Sequence, residues 1–215
     1  MKFLTLFKRL CGLLSALCLF FPMTSWAQFK VDVSGVGMTQ LPIAVVTFKG
    51  EDVAPQKTSA IVLSDLERSG QFRSVAVPGL SMDELTRPDF PQMRQRSADA
   101  LLAGSATRLA DGRYEVRAKL WDVVTGQDRG DYRETVAVAD LRLSAHRLAD
   151  WVYEKLTGDK GVFATRIAYI TKNSGKYNLW IADSDGENAQ SALTSLEPII
   201  SVSYTHLTLP TKRIV

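Results

Sequence analysis

His146 and His206 are the only imidazoles in the chain, and neither stands in a pattern that catalysis or metal binding requires. His146 lies between Ala145 and Arg147 in a helical stretch, with no cysteine or second histidine at zinc-ligand spacing. It reads as a surface or packing histidine, because a general base needs a reaction partner within hydrogen-bond reach. His206 lies in a terminal stretch without periodicity. The run Asp183-Ser184-Asp185-Gly186-Glu187-Asn188 carries calcium-type oxygen ligands. Its glycine comes too early for a calcium loop, however, and no closing glutamate follows, so it reads as a hairpin turn. The chain contains no Gly-x-Ser-x-Gly elbow and no phosphate-cradling glycine loop. Arg94, Arg96, Arg142 and Arg147 are scattered and read as solvated. The residues therefore suggest no catalytic, cofactor or metal set, and no cofactor is implied.

With no reaction to place, partners become the question, and charge is the first guide. Lys2, Lys8 and Arg9 precede an apolar run from Leu10 to Phe21, followed by Pro22 and Ser25-Trp26-Ala27. This is the pattern of a secretory signal peptide over residues 1–27, cut after Ala27. The apolar run is short for a membrane span. Its removal takes three basic residues and no acids, so the formal charge of +3 falls to zero. Nucleic acid is dropped as a partner on that ground. Cys11 and Cys18 leave with it, so the exported chain has no disulfide and depends on its core. Leucine precedes each cysteine, which makes a lipoprotein reading weak.

Residues 28–40 come next. Phe29, Val31 and Val33 alternate with polar neighbours, and Gly35 and Gly37 then break the alternation. This is an extended segment. It either pairs as an edge strand of the chain's own sheet or adds to a partner's sheet or groove. Leu41-Pro42-Ile43-Ala44-Val45-Val46-Thr47-Phe48 is nearly continuously apolar, as a strand buried on both faces would be. Thr58 to Ser69 reads as a helix that buries Ile61, Val62, Leu63 and Leu66 and turns Asp65, Glu67 and Arg68 to water, with Gly70 as its stop. Short strands are expected at Phe72 to Val77 and around Leu101-Leu102-Ala103-Gly104, with an irregular stretch between. Tyr114, Val116, Ala118 and Leu120 mark a half-buried strand, and Tyr132 to Val138 is its expected partner. Asp140 or Ser144 is expected to cap a helix whose apolar stripe is Leu141, Ala145, Leu148, Val152 and Leu156.

At Gly158 the periodicity changes. Gly158 can end the helix in the left-handed conformation, Gly161 allows a second turn, and Phe163 and Ile167 are expected as apolar pins beside the crossing. Arg166 to Thr171, Tyr177 to Asp183 and a segment from Ala189 then read as strands. A three-stranded meander is too small to hold a core, so it reads as one unit of a larger repeat. The fold class expected is an α/β N-terminal domain, a mixed sheet with packed helices, over residues 41–158. An incomplete all-β propeller domain follows, its junction and first blade at residues 159–201.

The segment Tyr153-Glu154-Lys155-Leu156-Thr157-Gly158, with Lys160-Gly161, Phe163 and Thr165-Arg166-Ile167-Ala168-Tyr169, closely resembles the domain junction of the TolB family of the Tol-Pal system. Residues 41–48 are similar to the family's first strand. Asp65-Leu66, Ser69-Gly70 and Phe72 look like the end of its first helix. Leu179, Asp183, Asp185-Gly186, Asn188, Gln190 and Leu193-Thr194 look like its first propeller blade.

The resemblance implies a periplasmic scaffold that works by binding and is not an enzyme. Its partners would be TolA and the outer-membrane lipoprotein Pal. Its role would be outer-membrane integrity and invagination during cell division, with some bacteriocins imported through the system. By position, the TolA-binding segment would be residues 28–39, with Phe29, Val31 and Val33 as contacts. Pal would bind the propeller. After Ser201 the family pattern stops, and residues 202–215 look like foreign sequence joined to a truncated frame. Two competing readings are an exported regulator of cell-wall synthesis enzymes with a related α/β domain, and an exported peptidase with its hydrolase domain downstream.

Overall fold

A computed structural model describes residues 40–199. The expected signal peptide with its cut after Ala27, the segment bearing Phe29, Val31 and Val33, and residues 202–215 lie outside the described residues.

The apolar run at residues 41–48 forms β1 (Leu41–Val45) and β2 (Thr47–Phe48), which part at Val46. The two faces of β1 meet different cores. Ile43 and Val45 point into one apolar cluster, and Ala44 and Val46 into another. This explains why the run has no polar alternation, since a strand covered on both sides gains from apolar residues at every position. The next elements are helix α1 (Thr58–Arg68), β3 (Phe72–Ser74), β4 (Ser81–Met82), α2 (Phe90–Gln95) and β5 (Ala100–Arg108). They are followed by β6 (Tyr114–Asp122), β7 (Gln127–Val136) and α3 (Leu141–Thr157). The main sheet has the order β3-β1-β5-β6-β7. β1 runs parallel to β3 and β5, while β5–β6 and β6–β7 are antiparallel. β2 and β4 form a small parallel pair.

The expected α/β domain is thus a mixed sheet with helices packed on it. Val62 and Leu66 of α1 share one cluster with Leu141, Leu148 and Val152 of α3 and with Leu102, Val116 and Leu120 of the sheet. Met93 of α2 packs on the other side with Leu101 and Ala103. At least six such side chains are buried here, each contributing about 1.5–3 kcal/mol.

Helix ends depart from the sequence reading in instructive ways. Neither Asp140 nor Ser144 caps α3 with its side chain; the hydroxyl of Ser144 instead donates to Glu134 at 2.7 Å. Burial pushes the Glu134 carboxyl up, but hydrogen bonds from Ser144 and Tyr132 and the Arg147 guanidinium outweigh it and hold it below its usual value. The start of α1 is served from outside the helix. Glu51, buried in the preceding loop, accepts the Ser59 N–H at 2.9 Å and also takes the Ser59 hydroxyl. A carboxylate here satisfies orphan donors and faces the positive helix end.

β7 begins five residues earlier than expected. Its first part is polar because Lys119 holds Asp128 at 3.0 Å and Asp131 at 3.1 Å across the strand pair, and the register slips there between Leu120 and Trp121. Gly104 of β5 has no space for a side chain. A Cβ would lie 2.4 Å from the Arg117 carbonyl oxygen and 2.9 Å from the Phe48 ring.

Beyond α3, Gly158 takes φ +85° and its N–H reaches the Glu154 carbonyl at 2.9 Å, as a left-handed helix terminus does. Gly161 serves a different purpose from the one expected. Its Cβ would lie 2.6 Å from the Cα of Asp150, so the position is glycine because the chain presses against α3. Asp150 accepts the N–H groups of Phe163 at 2.6 Å and Ala164 at 3.0 Å. The Phe163 ring is buried edge-on against Tyr153, 5.7 Å between centroids, and Tyr153 in turn meets Phe72. Phe163 is therefore a pin. Ile167 is not: it is 41 % exposed. The chain then forms β8 (Arg166–Asn173), β9 (Lys176–Asp183) and β10 (Gln190–Ser195), an antiparallel meander in the order β10-β9-β8.

Two outcomes follow from this packing. Gly104→Ala is expected to destabilise the sheet by about 1–3 kcal/mol, the usual cost of overpacking. It would be read as a lower urea midpoint at unchanged m-value. Asp150→Ala is expected to speed amide exchange at Phe163 and Ala164 while leaving Ala44 and Leu101 protected. Unchanged exchange at Phe163 would show that the carboxylate does not hold the junction.

Candidate functional site

Helix α3 carries two stripes. The apolar one, Leu141, Ala145, Leu148 and Val152, is fully buried in the core, as its spacing predicts. The second runs Arg142, His146, Asp150 at intervals of four, which places three polar side chains on one helix face. Each engages something outside the helix. Asp150 holds the junction backbone. Arg142 and His146 meet the turn between β9 and β10.

That turn is the Asp183–Asn188 run, and it is a hairpin turn as expected. The Gly186 N–H reaches the Asp183 carbonyl at 2.9 Å, and Gly186 takes φ +86°. Its two aspartates nonetheless have partners. Arg142 places Nε 3.3 Å from an Asp183 carboxylate oxygen and an Nη on Asp185. The expectation that Arg142 is solvated is overturned, since its side chain is only 18 % exposed. Arg94 also departs from it, donating to the Val123 carbonyl at 2.9 Å. Arg96 lies exposed and reaches the Ala76 carbonyl at 3.4 Å. Arg147 is half exposed and pairs with Glu134 at 2.6 Å.

His146 is fully buried, so it is a packing histidine with polar partners. Its Nδ1 lies 2.6 Å from Asp65 Oδ2. A carboxylate only accepts, so Nδ1 carries a proton. Its Nε2 lies 3.8 Å from Asp185 Oδ2 and has no hydrogen-bond partner. Asp65 was expected to face water. It is instead completely buried, with its second oxygen on Arg68. The apolar sector of α1 alone does not mark this position, which is buried with Val62 and Leu66. Asp65 lies beside Leu66 and Val62 on the inward side and is tolerated because Arg68 and His146 pair with it. The sign available in the sequence was the four-residue spacing Arg142, His146, Asp150, together with acidic residues clustered in one turn.

Asp185 is held below the usual carboxylate range. Burial pushes it up, but the Glu187 N–H and the Arg142 guanidinium outweigh that. Asp65, His146 and Asp185 bring three possible metal-ligand atoms within 4.8 Å of one another. The donor set does not suit a dication, because each carboxylate already faces a guanidinium that a metal would have to displace. Beside the cluster lies an open cleft of about 380 Å³, lined by Pro55, Gln56, Val138, Arg142, Glu187 and Asn188. It is polar and shallow and lacks the apolar lining of a small-molecule pocket. The partner-contact residues predicted from sequence, Phe29, Val31 and Val33, are not brought to this site or any other, because they lie outside the described residues.

Comparison with known proteins gives this arrangement a family. Residues 29–129 match the model of the TolB amino-terminal domain. Tol-Pal system protein TolB of Albidiferax ferrireducens is 63% identical over 191 residues, covering 87% of this chain and 45% of the relative. The protein of the same name from a Polaromonas species is 63% identical over 180 residues, covering 84% and 42%. The chain thus spans less than half the length of these relatives. The crystal structure of TolB from Acinetobacter baumannii matches with a TM-score of 0.66 at 31% identity, over 76% of this chain and 41% of that one. The match to the domain model, the two relatives and the solved structure agree: this chain belongs to the TolB family.

Proposed function

We propose that the protein is a periplasmic scaffold of the Tol-Pal system that acts by binding other proteins and not by catalysis. The observation that carries this reading is the 63% identity to relatives named Tol-Pal system protein TolB, which extends across 87% of the chain. Within this reading, residues 1–27 are a signal peptide and are removed after Ala27. Residues 28–39 engage TolA through Phe29, Val31 and Val33, by adding a strand or filling a groove. The meander from Arg166 onward opens a β-propeller that binds Pal. Together these contacts link the inner and outer membranes, maintain outer-membrane integrity and support invagination at division. Bacteriocin import through the same contacts belongs to the same reading.

Two features of the structure support it. The cleft and charge cluster suit protein contacts better than a small substrate. The meander also leaves Ile167, Tyr169, Ile181 and Leu193 exposed, as a single blade with further sheets to pack against would. Ordering a dozen residues of tail costs about 1–2 kcal/mol each in backbone entropy, which favours a weak, reversible TolA contact.

The test is a pull-down of purified TolA by the protein, with and without residues 28–39. Loss of capture on deletion is expected, as is a substantial weakening with Phe29→Ala and Val31→Ala together. Equal capture after deletion would move the TolA contact elsewhere.

A further inference from the structure

Every arginine of β6, β7 and α3 sits against a carboxylate. Arg117 and Arg133 share Glu115, Arg129 holds Asp122, Arg142 holds Asp185 and Arg147 holds Glu134. The face around α2 is different. Arg73, Arg87, Arg94 and Arg96 enter none of the ion pairs formed among the described residues. All four are exposed. Between Gln71 and Asp99 the exposed carboxylates are Asp89 and Asp99, and Asp89 is occupied as the cap of α2, accepting the Gln92 N–H at 3.1 Å. Asp83 and Glu84 of the same stretch are taken up by Lys49 and Ser105. Four guanidiniums therefore stand against two exposed carboxylates.

These arginines lie on one side of the sheet. Phe72 packs into the cluster shared with α1 and α3, so Arg73 beside it belongs to the opposite face, where α2 packs. Arg96 donates to the Ala76 carbonyl at 3.4 Å, just beyond β3. Pro42, opposite Arg73 in the β1–β3 register, accepts the N–H of Asp99, just past α2. Arg94 donates to the Val123 carbonyl at 2.9 Å. Arg87 lies over the Phe90 ring, 5.6 Å from its centroid, at the other end of the helix, near Leu85, which is 82 % exposed. Arg94 and Arg96 each use one edge of the guanidinium on a backbone carbonyl. That contact restrains the plane and leaves the remaining N–H donors to face outward, the arrangement that a carboxylate accepts in a paired fashion.

We propose that the α2 face is a docking surface for an acidic, extended peptide segment of a partner protein, whose carboxylates pair with Arg73, Arg94 and Arg96. The six residues of α2 separate Arg87 from Arg94 and Arg96 by about 9 Å. Acidic side chains two or three residues apart in an extended segment stand about 7–10 Å apart, so one short segment reaches both ends of the helix. With Asp89 and Asp99 counted the surplus is two charges, fewer than the about four to eight basic side chains of an anionic-lipid site. A peptide is thus favoured over a membrane. The inference goes beyond the Tol-Pal reading, because neither residues 28–39 nor the second sheet takes part in this surface.

The test uses the whole ¹⁵N-labelled protein and hexaglutamate as the probe, titrated at low salt. The arginine side-chain Nε–H signals of Arg73, Arg94 and Arg96 are expected to shift, while those of the paired Arg113, Arg133 and Arg147 stay in place. Added salt is expected to reverse the shifts, as for any exposed charge contact. Arg73→Gln with Arg96→Gln is expected to weaken binding about tenfold, the factor of one hydrogen bond to a charged group. Arg113→Gln with Arg147→Gln removes the same charge elsewhere and is expected to leave binding unchanged. Both replaced residues of the first pair are exposed, and an unchanged urea midpoint checks that the fold is kept. Equal loss in the two double variants would overturn the proposal, as would shifts spread evenly over paired and unpaired arginines or no shift at all. Capture by phosphatidylglycerol vesicles with no response to hexaglutamate would overturn it too and assign the face to lipid.

Discussion

A carboxylate cannot be buried without a partner, and the region between α1, α3 and the β9–β10 turn is arranged around that requirement. Asp65 has no exposed surface. An unpaired charge there would cost several kcal/mol after all relaxation, and so Arg68 takes one oxygen and His146 the other. Fixing the imidazole fixes which way Nε2 points, and that direction sets where Asp185 can lie. Arg142, one helical turn before His146, then completes the pairing with Asp183 and Asp185. A single desolvated side chain on α1 thus determines the polar face of α3, and that face positions the β9–β10 turn of the second sheet.

The same helix shows which parts of the structure could be read from sequence. Leu141, Ala145, Leu148 and Val152 repeat at three and four residues, and burial followed directly, because an apolar stripe has one stable place to go. β1, β5 and β6 were legible for the same reason. The polar stripe Arg142–His146–Asp150 has equally regular spacing but was not legible, because a polar residue is normally solvated and its exception depends on a partner far away in the chain. Asp65 and His146 are 81 positions apart. No local pattern contains that distance, and the sequence alone therefore places Asp65 in water and Arg142 among the solvated arginines. The early start of β7 escaped for a related reason. Asp128 and Asp131 look like loop residues until Lys119 on the neighbouring strand is seen to hold them.

Glycine was half legible. Gly70, Gly158 and Gly186 take positive φ and stand where helices or strands stop, which the sequence marks. Gly104 and Gly161 are glycine because another part of the chain occupies the space of a side chain. At Gly104 that neighbour is the β6 backbone with the Phe48 ring, and at Gly161 it is Asp150. The distinction matters for the junction. A glycine chosen for its turn would make residues 158–163 a hinge. A glycine chosen for close approach, followed by two N–H groups on one carboxylate and an aromatic ring in the core, makes them a clamp.

That clamp and the charge cluster contribute differently to joining the two sheets. Burying Phe163 is worth about 1.5–3 kcal/mol and does not depend on pH. Two opposite charges about 4 Å apart near a protein surface attract by about 4 kcal/mol in gross terms, but desolvation of a buried pair consumes most of this. The aromatic contact is thus the larger net term at the junction, while the ionic contact has large opposing terms and a small net value. The ionic contact lies at the N-terminal end of α3, facing the β9–β10 turn beside the open cleft.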